Sequence, residues 1–326
     1  MKITVLGCGR WGSFHAWYSN YIGHDVILWG RKTSTRMQQI MNTRSNDYLT
    51  LPDTVKLTND LPEAVNFGDI IIISISSQQL RSFARELSKI EGIENKKFVL
   101  CMKGLESSSG KRLSTVFNEE INSEFRIPNS ELIAAVWVGP GHVQDFLQGI
   151  PNCMIISSED MDLTRELVEV FKSPLIRFYY GADLLGTEIG AAAKNVIGLA
   201  AGMLDGLNCS SLKGALMARG TAELSRLIEA LGGEKMTVYG LSHLGDYEAT
   251  LFSPHSHNRC FGEDFVKNLP FTKLAEGVET VSALMKLSKA VDIELPICET
   301  VNSIIHEHKD PKEQLLQLFL RSTKSE

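Results

Sequence analysis

The chain has 326 residues, 43% of them hydrophobic and 22% charged, with a formal net charge of −6. That length leaves room for two domains with cores of their own, and the acidic balance argues against nucleic acid or an anionic membrane surface as the main partner. Its six cysteines, Cys8, Cys101, Cys153, Cys209, Cys260 and Cys298, include no C-x-x-C pair. Neither a metal site nor a disulfide framework is therefore expected, and reduced thiols in a cytoplasmic protein are the simpler account. No signal peptide or membrane-spanning helix is expected either, because Met1-Lys2 leads directly into an apolar strand.

Lys2–Leu6 (KITVL) predicts that strand, and Gly7-Cys8-Gly9-Arg10-Trp11-Gly12 follows it at once as G-x-G-x-x-G. Phe14, Trp17, Tyr18 and Tyr21 then recur at helical spacing, and Asp25–Trp29 predicts a second strand. Between strand and helix the motif specifies a dinucleotide fold, since its glycines let the backbone reach a pyrophosphate at a helix N-terminus. The second strand ends in Trp29-Gly30-Arg31-Lys32. An NAD-selective site often places Asp or Glu here for the ribose hydroxyls; two cations suit the 2′-phosphate of NADP better. The alternative is a solvated helix start.

Further strands are predicted at 69–75, 97–102, 132–138, 153–157 and 175–179, alternating with helical stretches, which implies a wound, largely parallel sheet. Beyond Asp183, placed to cap the next helix, the periodicity is helical only, through 212–231, 272–291, 297–306 and 311–320. The expected fold class is α/β: a Rossmann-like dinucleotide-binding domain over residues 1–182, then an all-helical domain over 183–326. A rigid junction with a cleft beside it is expected near residue 183.

Within GTEIGAAAKNVIGLAAGMLDG, Gly186, Gly190, Lys194, Gly198, Gly202 and Gly206 recur at every fourth position, on one face of a buried helix. Gly190, Gly198 and Gly202 together forgo on the order of 3 kcal/mol of helix propensity relative to alanine. Something must approach that face closely. Glycine-mediated helix packing with Lys194 snorkelling outward is one account. Asn195, a second polar group in the same apolar run, favours a site lining, because buried polar groups are costly unless paired.

These motifs, with MKGLE (102–106), WVGPG (137–141), ARGTAEL (218–224), GLSHLGD (240–246), SHNRCFG (256–262) and AEGVET (275–280), make the chain resemble the NAD(P)-dependent glycerol-3-phosphate dehydrogenase family over nearly its whole length. The resemblance implies that Lys194 is the proton donor and acceptor, that Lys103 is a second lysine at the reacting centre, and that Asp246 is a carboxylate there. It places Gly7, Gly9, Arg10, Trp11, Gly12, Arg31, Lys103, Val143, His257, Leu274 and Glu276 on the cofactor. It places Lys103, Gly139, Gly141, Lys194, Asn195, Asp246, Ser256, His257 and Asn258 on the substrate, and it includes no metal.

The chemistry needs such residues. Hydride transfer to a ketone develops negative charge on the carbonyl oxygen, which calls for a proton donor and a cation. A desolvated lysine near a second cation has its pKa lowered toward neutrality. Asp246 is expected to hold one ammonium, with Lys103 reaching Lys194 across the cleft from the sheet domain. Three departures mark a divergent member. His257 stands where the family has an arginine for the substrate phosphate, and a histidine with an ordinary pKa of about 6.5 is mostly neutral at pH 7; Arg259 could compensate in part. Gly141 stands where the family prefers Ser or Thr, and Ser76 where it often has proline.

The expected activity is interconversion of dihydroxyacetone phosphate and sn-glycerol 3-phosphate with NADP or NAD, NADP slightly favoured, as a supply of glycerophospholipid precursor. The substrate is then a phosphorylated small molecule, and a homodimer is one assembly entertained. The alternatives are a nucleotide-binding paralogue without turnover and a reductase of a related keto or phospho-keto compound.

Overall fold

A computed structural model describes residues 1–123 and 132–322. They form two compact units, Met1–Met102 with Leu113–Leu184, and Lys103–Arg112 with Leu185–Glu326.

The first unit is built on strands β1 (Lys2–Leu6), β2 (Asp25–Trp29), β3 (Lys56–Thr58), β4 (Ile70–Ile73), β5 (Lys97–Leu100), β6 (Ala134–Val138), β7 (Asn152–Ser157) and β8 (Ile176–Gly181). They form one sheet in the order β3-β2-β1-β4-β5-β6-β7-β8. Every neighbouring pair is parallel except β6 with β7. Alternate residues of each strand point to opposite faces, and the chain exploits this fully. Ile3, Val5, Val26, Leu28, Ile70, Ile72 and Val99 enter one core, while Leu6, Ile27, Trp29, Ile71, Ile73, Phe98 and Leu100 enter another. Strands with two apolar faces need helices on both sides. These are α1 (Arg10–Tyr21), α2 (Thr35–Thr43), α3 (Leu61–Phe67), α4 (Leu80–Leu87), α5 (Leu113–Ile121), α6 (Val143–Leu147) and α7 (Met161–Phe171). Strand β3 escaped the sequence reading: three residues at the sheet edge carry too short a pattern to register.

The second unit contains α8 (Leu184–Gly206), α9 (Lys213–Ala230), α10 (His257–Val266), α11 (Glu276–Ala290), α12 (Pro296–His306) and α13 (Pro311–Gln317). Asp183 immediately precedes α8. Its core gathers Ile189, Ala193, Val196, Ile197, Leu224, Tyr247, Leu284 and Val301 around α8. Helix α10 was not foreseen, because its sequence HNRCFGEDFV lacks a wide apolar stripe.

The glycine stripe of α8 receives protein along most of its length. A Cβ at Gly190 would stand 3.1 Å from the His243 Cβ, one at Gly198 2.9 Å from the Thr250 Cγ2, and one at Gly202 1.9 Å from the Arg259 carbonyl oxygen. Gly262 on α10 meets the Leu199 carbonyl oxygen of α8 in the same way, at 2.1 Å. Helix packing therefore accounts for these glycines, and Lys194 does not snorkel out from them: it is 6% exposed.

The segment Lys103–Arg112 leaves β5 but packs with the helices. Leu105 is fully buried in the helical core, Arg112 pairs with Glu188 at 2.9 Å, and Lys286 donates to the carbonyls of Ser107 and Ser108 at 2.6 Å each. Lys103, expected to reach Lys194 from the sheet domain, meets it inside the helical unit instead.

Candidate active site

In the sheet unit, the loop from Gly7 to Gly12 has the shape its glycines imply. Gly7 has φ 120°, and a Cβ there would lie 2.1 Å from the Ser74 carbonyl oxygen; a Cβ at Gly12 would lie 1.9 Å from that of Gly7. These two glycines close the turn. Gly9 is the N-cap of α1 and offers no side-chain cap, and the nearest atom to a Cβ placed on it is Arg36 Nη1 at 3.9 Å. Gly9 puts no side chain over the first turn of α1, whose N-terminus has the positive helix-dipole character that an anionic pyrophosphate requires. This arrangement fits a dinucleotide.

Arg10 donates to Gln144 Oε1 at 2.9 Å and lies over the Tyr48 ring, while Trp11 meets Phe14 edge-on. Arg31 and Lys32 are exposed after β2, with Arg36 on the first turn of α2. Gly139 and Gly141 both have φ 137°, and a Cβ at Gly141 would sit 2.5 Å from the Phe146 ring. Phe146 fills the space that a Ser or Thr at 141 would need. Val143 is fully buried at the start of α6, so its side chain belongs to the core.

In the helical unit, two ammonium groups converge on one carboxylate oxygen. Lys103 Nζ lies 2.7 Å and Lys194 Nζ 2.9 Å from Asp246 Oδ2. Asp246 ends a tight turn (Leu244–Asp246) and is 1% exposed. Lys194 also donates to Thr250 Oγ1 at 2.7 Å, and Asn195 donates through Nδ2 to the Lys103 carbonyl at 2.8 Å. Burial pushes the Lys194 pKa down to about 8, with Asp246 opposing the shift and Lys103 adding to it. Lys103 is the more exposed of the pair, its side chain retaining 18% exposure against 8%. The cluster combines a buried ammonium whose hold on its proton is weakened by desolvation with a second lysine on the same carboxylate oxygen.

Asn258 stands beside this cluster. Its Oδ1 accepts from the Gly277 N–H at 2.9 Å, and its Cβ would be 3.4 Å from a Cβ at Gly198, one turn beyond Lys194. Ser256 caps α10 by accepting from the Arg259 N–H. His257 Nδ1 faces the Leu274 carbonyl at 3.2 Å, and Glu276 opens α11. Arg259, two residues after the histidine, is engaged elsewhere. Its guanidinium holds Asp205 and Glu263 at 2.8 Å each and the Ser253 carbonyl at 3.1 Å.

Thr250 was missed by the sequence reading. Its signal was available, because it follows Asp246 by four residues, the spacing that sets two side chains on one face of a helical turn. Among the described residues, no group of three or more His, Cys, Asp or Glu could hold a metal, and no helix is long and apolar enough to cross a membrane. All six cysteines are free.

Comparison with known proteins identifies the family. The model of the NAD-dependent glycerol-3-phosphate dehydrogenase N-terminus matches residues 2–164, and that of the C-terminus matches residues 183–316. The glycerol-3-phosphate dehydrogenase (NAD(P)+) of Prosthecochloris aestuarii is 35% identical over 338 residues, covering 100% of both chains. That of Fusobacterium nucleatum is 34% identical over 339 residues, covering 100% of this chain and 98% of its own. The crystal structure of glycerol-3-phosphate dehydrogenase from Coxiella burnetii superposes with a TM-score of 0.89 at 25% identity, covering 98% of this chain and 99% of the other. With both halves matched and relatives aligned from end to end, the chain belongs to the NAD-dependent glycerol-3-phosphate dehydrogenase family.

Proposed function

We propose that Lys194, Asp246 and Lys103 form the reacting centre of this enzyme, an NAD(P)-dependent glycerol-3-phosphate dehydrogenase that interconverts dihydroxyacetone phosphate and sn-glycerol 3-phosphate. The observation that carries the assignment is the shared Asp246 oxygen, with one buried lysine and one half-buried lysine on it. The nicotinamide cofactor, when bound, supplies or accepts the hydride. In reduction, Lys194 gives its proton to the carbonyl oxygen of the ketone as negative charge develops there, and Lys103 stabilises that charge. Asp246 holds the two ammonium groups together and fixes their direction, and Thr250 accepts a second bond from Lys194. In oxidation, the neutral amine of Lys194 takes the hydroxyl proton. Asn195 and Asn258 would contact the substrate, Asn258 with Ser256 and His257 at its phosphate end. Consumption of NADPH or NADH with dihydroxyacetone phosphate tests the reading; cofactor binding without turnover would turn it toward the paralogue without catalysis. A homodimer and a cytoplasmic location are proposed with it on the resemblance alone.

Gly7, Gly9, Arg10, Trp11 and Gly12 would hold the dinucleotide, with NADP favoured over NAD. What supports the preference is the exposed pair Arg31 and Lys32 after β2, with Arg36 near the glycine loop. A charge-assisted contact to a phosphate contributes roughly 1.5–3 kcal/mol. Arg31→Ala should therefore lower the NADPH-to-NADH affinity ratio by about tenfold to a hundredfold. An unchanged ratio in equilibrium binding would take Arg31 out of the role.

His257 gives phosphate binding a pH dependence. A carbonyl oxygen only accepts, so Nδ1 carries a proton toward Leu274, and the neutral ring presents an acceptor at Nε2. Only the protonated ring donates from both nitrogens, so affinity for the phosphate should fall as pH rises. His257→Arg should lower the Michaelis constant for dihydroxyacetone phosphate above neutral pH and change it little below pH ~6. Superimposable profiles from parent and variant would mean that His257 never meets the phosphate.

A further inference from the structure

The buried polar side chains of the helical unit continue behind the lysine pair. His243 lies three residues before Asp246, in the turn that delivers the carboxylate, and is fully buried. Its Nδ1 is 2.9 Å from the Gly190 carbonyl oxygen, and its Nε2 is 2.6 Å from the Tyr247 hydroxyl. Because the carbonyl can only accept, Nδ1 carries the ring proton, Nε2 accepts, and Tyr247 donates. Burial pushes the His243 pKa down to about 4, so the neutral ring keeps this one tautomer at working pH.

Gly190 precedes Lys194 by one turn of α8, and in an α-helix its carbonyl is the acceptor for the Lys194 backbone N–H. The imidazole therefore ties the peptide group that anchors Lys194 to the turn that carries Asp246. The two residues of the tie, His243 and Tyr247, bracket Asp246 in the chain. The charged and titratable groups around it are Lys194 and Asp246 near the ring, Lys103 on the same Asp246 oxygen as Lys194, and Glu223 of α9 with Cys298 of α12 beside Tyr247. Glu223 accepts from the backbone N–H groups of Ile297 and Cys298 at 2.9 and 3.1 Å, so it is committed to the start of α12.

We propose that His243, hydrogen-bonded to Gly190 and Tyr247, is a positioning residue that sets Asp246 against Lys194 and so fixes the pH range over which Lys194 exchanges its proton. The direction follows from the neighbours of Lys194. Asp246 is what holds its proton on, against burial and Lys103. If the turn loses its tie to α8, the carboxylate is less firmly held against Lys194, and the proton leaves at lower pH.

The inference rests on Lys194 as the acid and base, so its test includes a readout independent of turnover. His243→Phe and Tyr247→Phe are compared with the parent in two ways: the pH dependence of kcat/KM for ketone reduction, and direct titration of Lys194 in protein carrying isotope-labelled lysine. His243→Asn, whose amide can still donate to the Gly190 carbonyl, serves as the rescue. His243→Phe should lose about five- to tenfold in kcat, and Tyr247→Phe, which leaves the bond to Gly190 in place, a smaller part of that. Their alkaline limb and the Lys194 titration should move down together by about half a pH unit or more. Cofactor affinity should stay, and His243→Asn should recover most of the profile. Folded variants in which the limb and the titration keep their parental positions would overturn the proposal, as would a loss of thermal stability alone. If His243→Phe does not fold, Tyr247→Phe decides, since it keeps the ring volume and removes only the hydroxyl. Failure of the catalytic assignment itself looks different: the kinetic limb would survive in Lys194→Ala, whatever His243 does to the titration.

Discussion

Replacing Lys194 by alanine is expected to lower turnover in both directions by about 10² to 10⁴ through loss of the positioned acid and base, with lost charge stabilisation adding to that. The fold should survive. The site is buried, but alanine is a better helix former than lysine, Asp246 keeps its bond to Lys103, and a desolvated cation disappears. Cofactor affinity should be unchanged, because the glycine loop belongs to the sheet unit. The pH profile supplies a sharper check. With the Lys194 pKa near 8, the parent needs the ammonium for reduction, so kcat/KM should fall as pH rises through that value. Oxidation needs the amine and should rise through the same range. Both limbs should vanish in Lys194→Ala. Turnover within a few-fold of the parent, or a limb that persists, would sink the assignment.

The dinucleotide half was legible because its signals are local. A strand, three glycines and a helix follow one another within twenty residues, and the structure needs Gly7 and Gly12 for a turn that closes onto backbone. The lysines were legible through the resemblance and through the oddity of a cation in an apolar helix. Their mutual geometry was not. Lys103 leaves the last residue of β5 by only three positions, and nothing in the sequence says that Leu105, Arg112 and the Lys286 clamp carry the segment over to the helices. Long-range pairing of this kind has no periodicity to read.

The glycine stripe shows the opposite failure. Its spacing correctly announced a close approach, but the spacing is the same whether a ligand or another helix arrives. The visitors are the turn at His243, Thr250 and the backbone of α10. Helix α10 itself was hidden because a capped helix beginning Ser256-His257-Asn258 exposes polar residues on much of its surface. Gly141 is similar. From sequence it looks like a lost hydroxyl, whereas the structure shows Phe146 in the space a side chain would take.

Asp246→Asn is expected to damage both stability and catalysis, and the two effects separate by pH. The amide is nearly the same size, yet it leaves Lys103 and Lys194 facing each other without the negative charge that both now contact through Oδ2. Removing one partner from a buried ion pair typically costs about 3–5 kcal/mol. Lys194 can relieve part of this by giving up its proton, because Asp246 is the group that raises its pKa while burial and Lys103 lower it. Its folded-state pKa should therefore drop further below the ordinary value of 10.5. A lysine whose pKa is depressed by folding destabilises the protein fully below the folded pKa, and the penalty fades as pH climbs to the unfolded value. The gap in stability between parent and Asp246→Asn should accordingly be large at pH ~7 and narrow toward pH ~10. Urea unfolding at those two pH values measures it, and the same preparations report whether reduction of dihydroxyacetone phosphate loses its acid at neutral pH. A variant as stable as the parent at both pH values, with parental turnover, would mean that the carboxylate neither holds the lysines together nor tunes them.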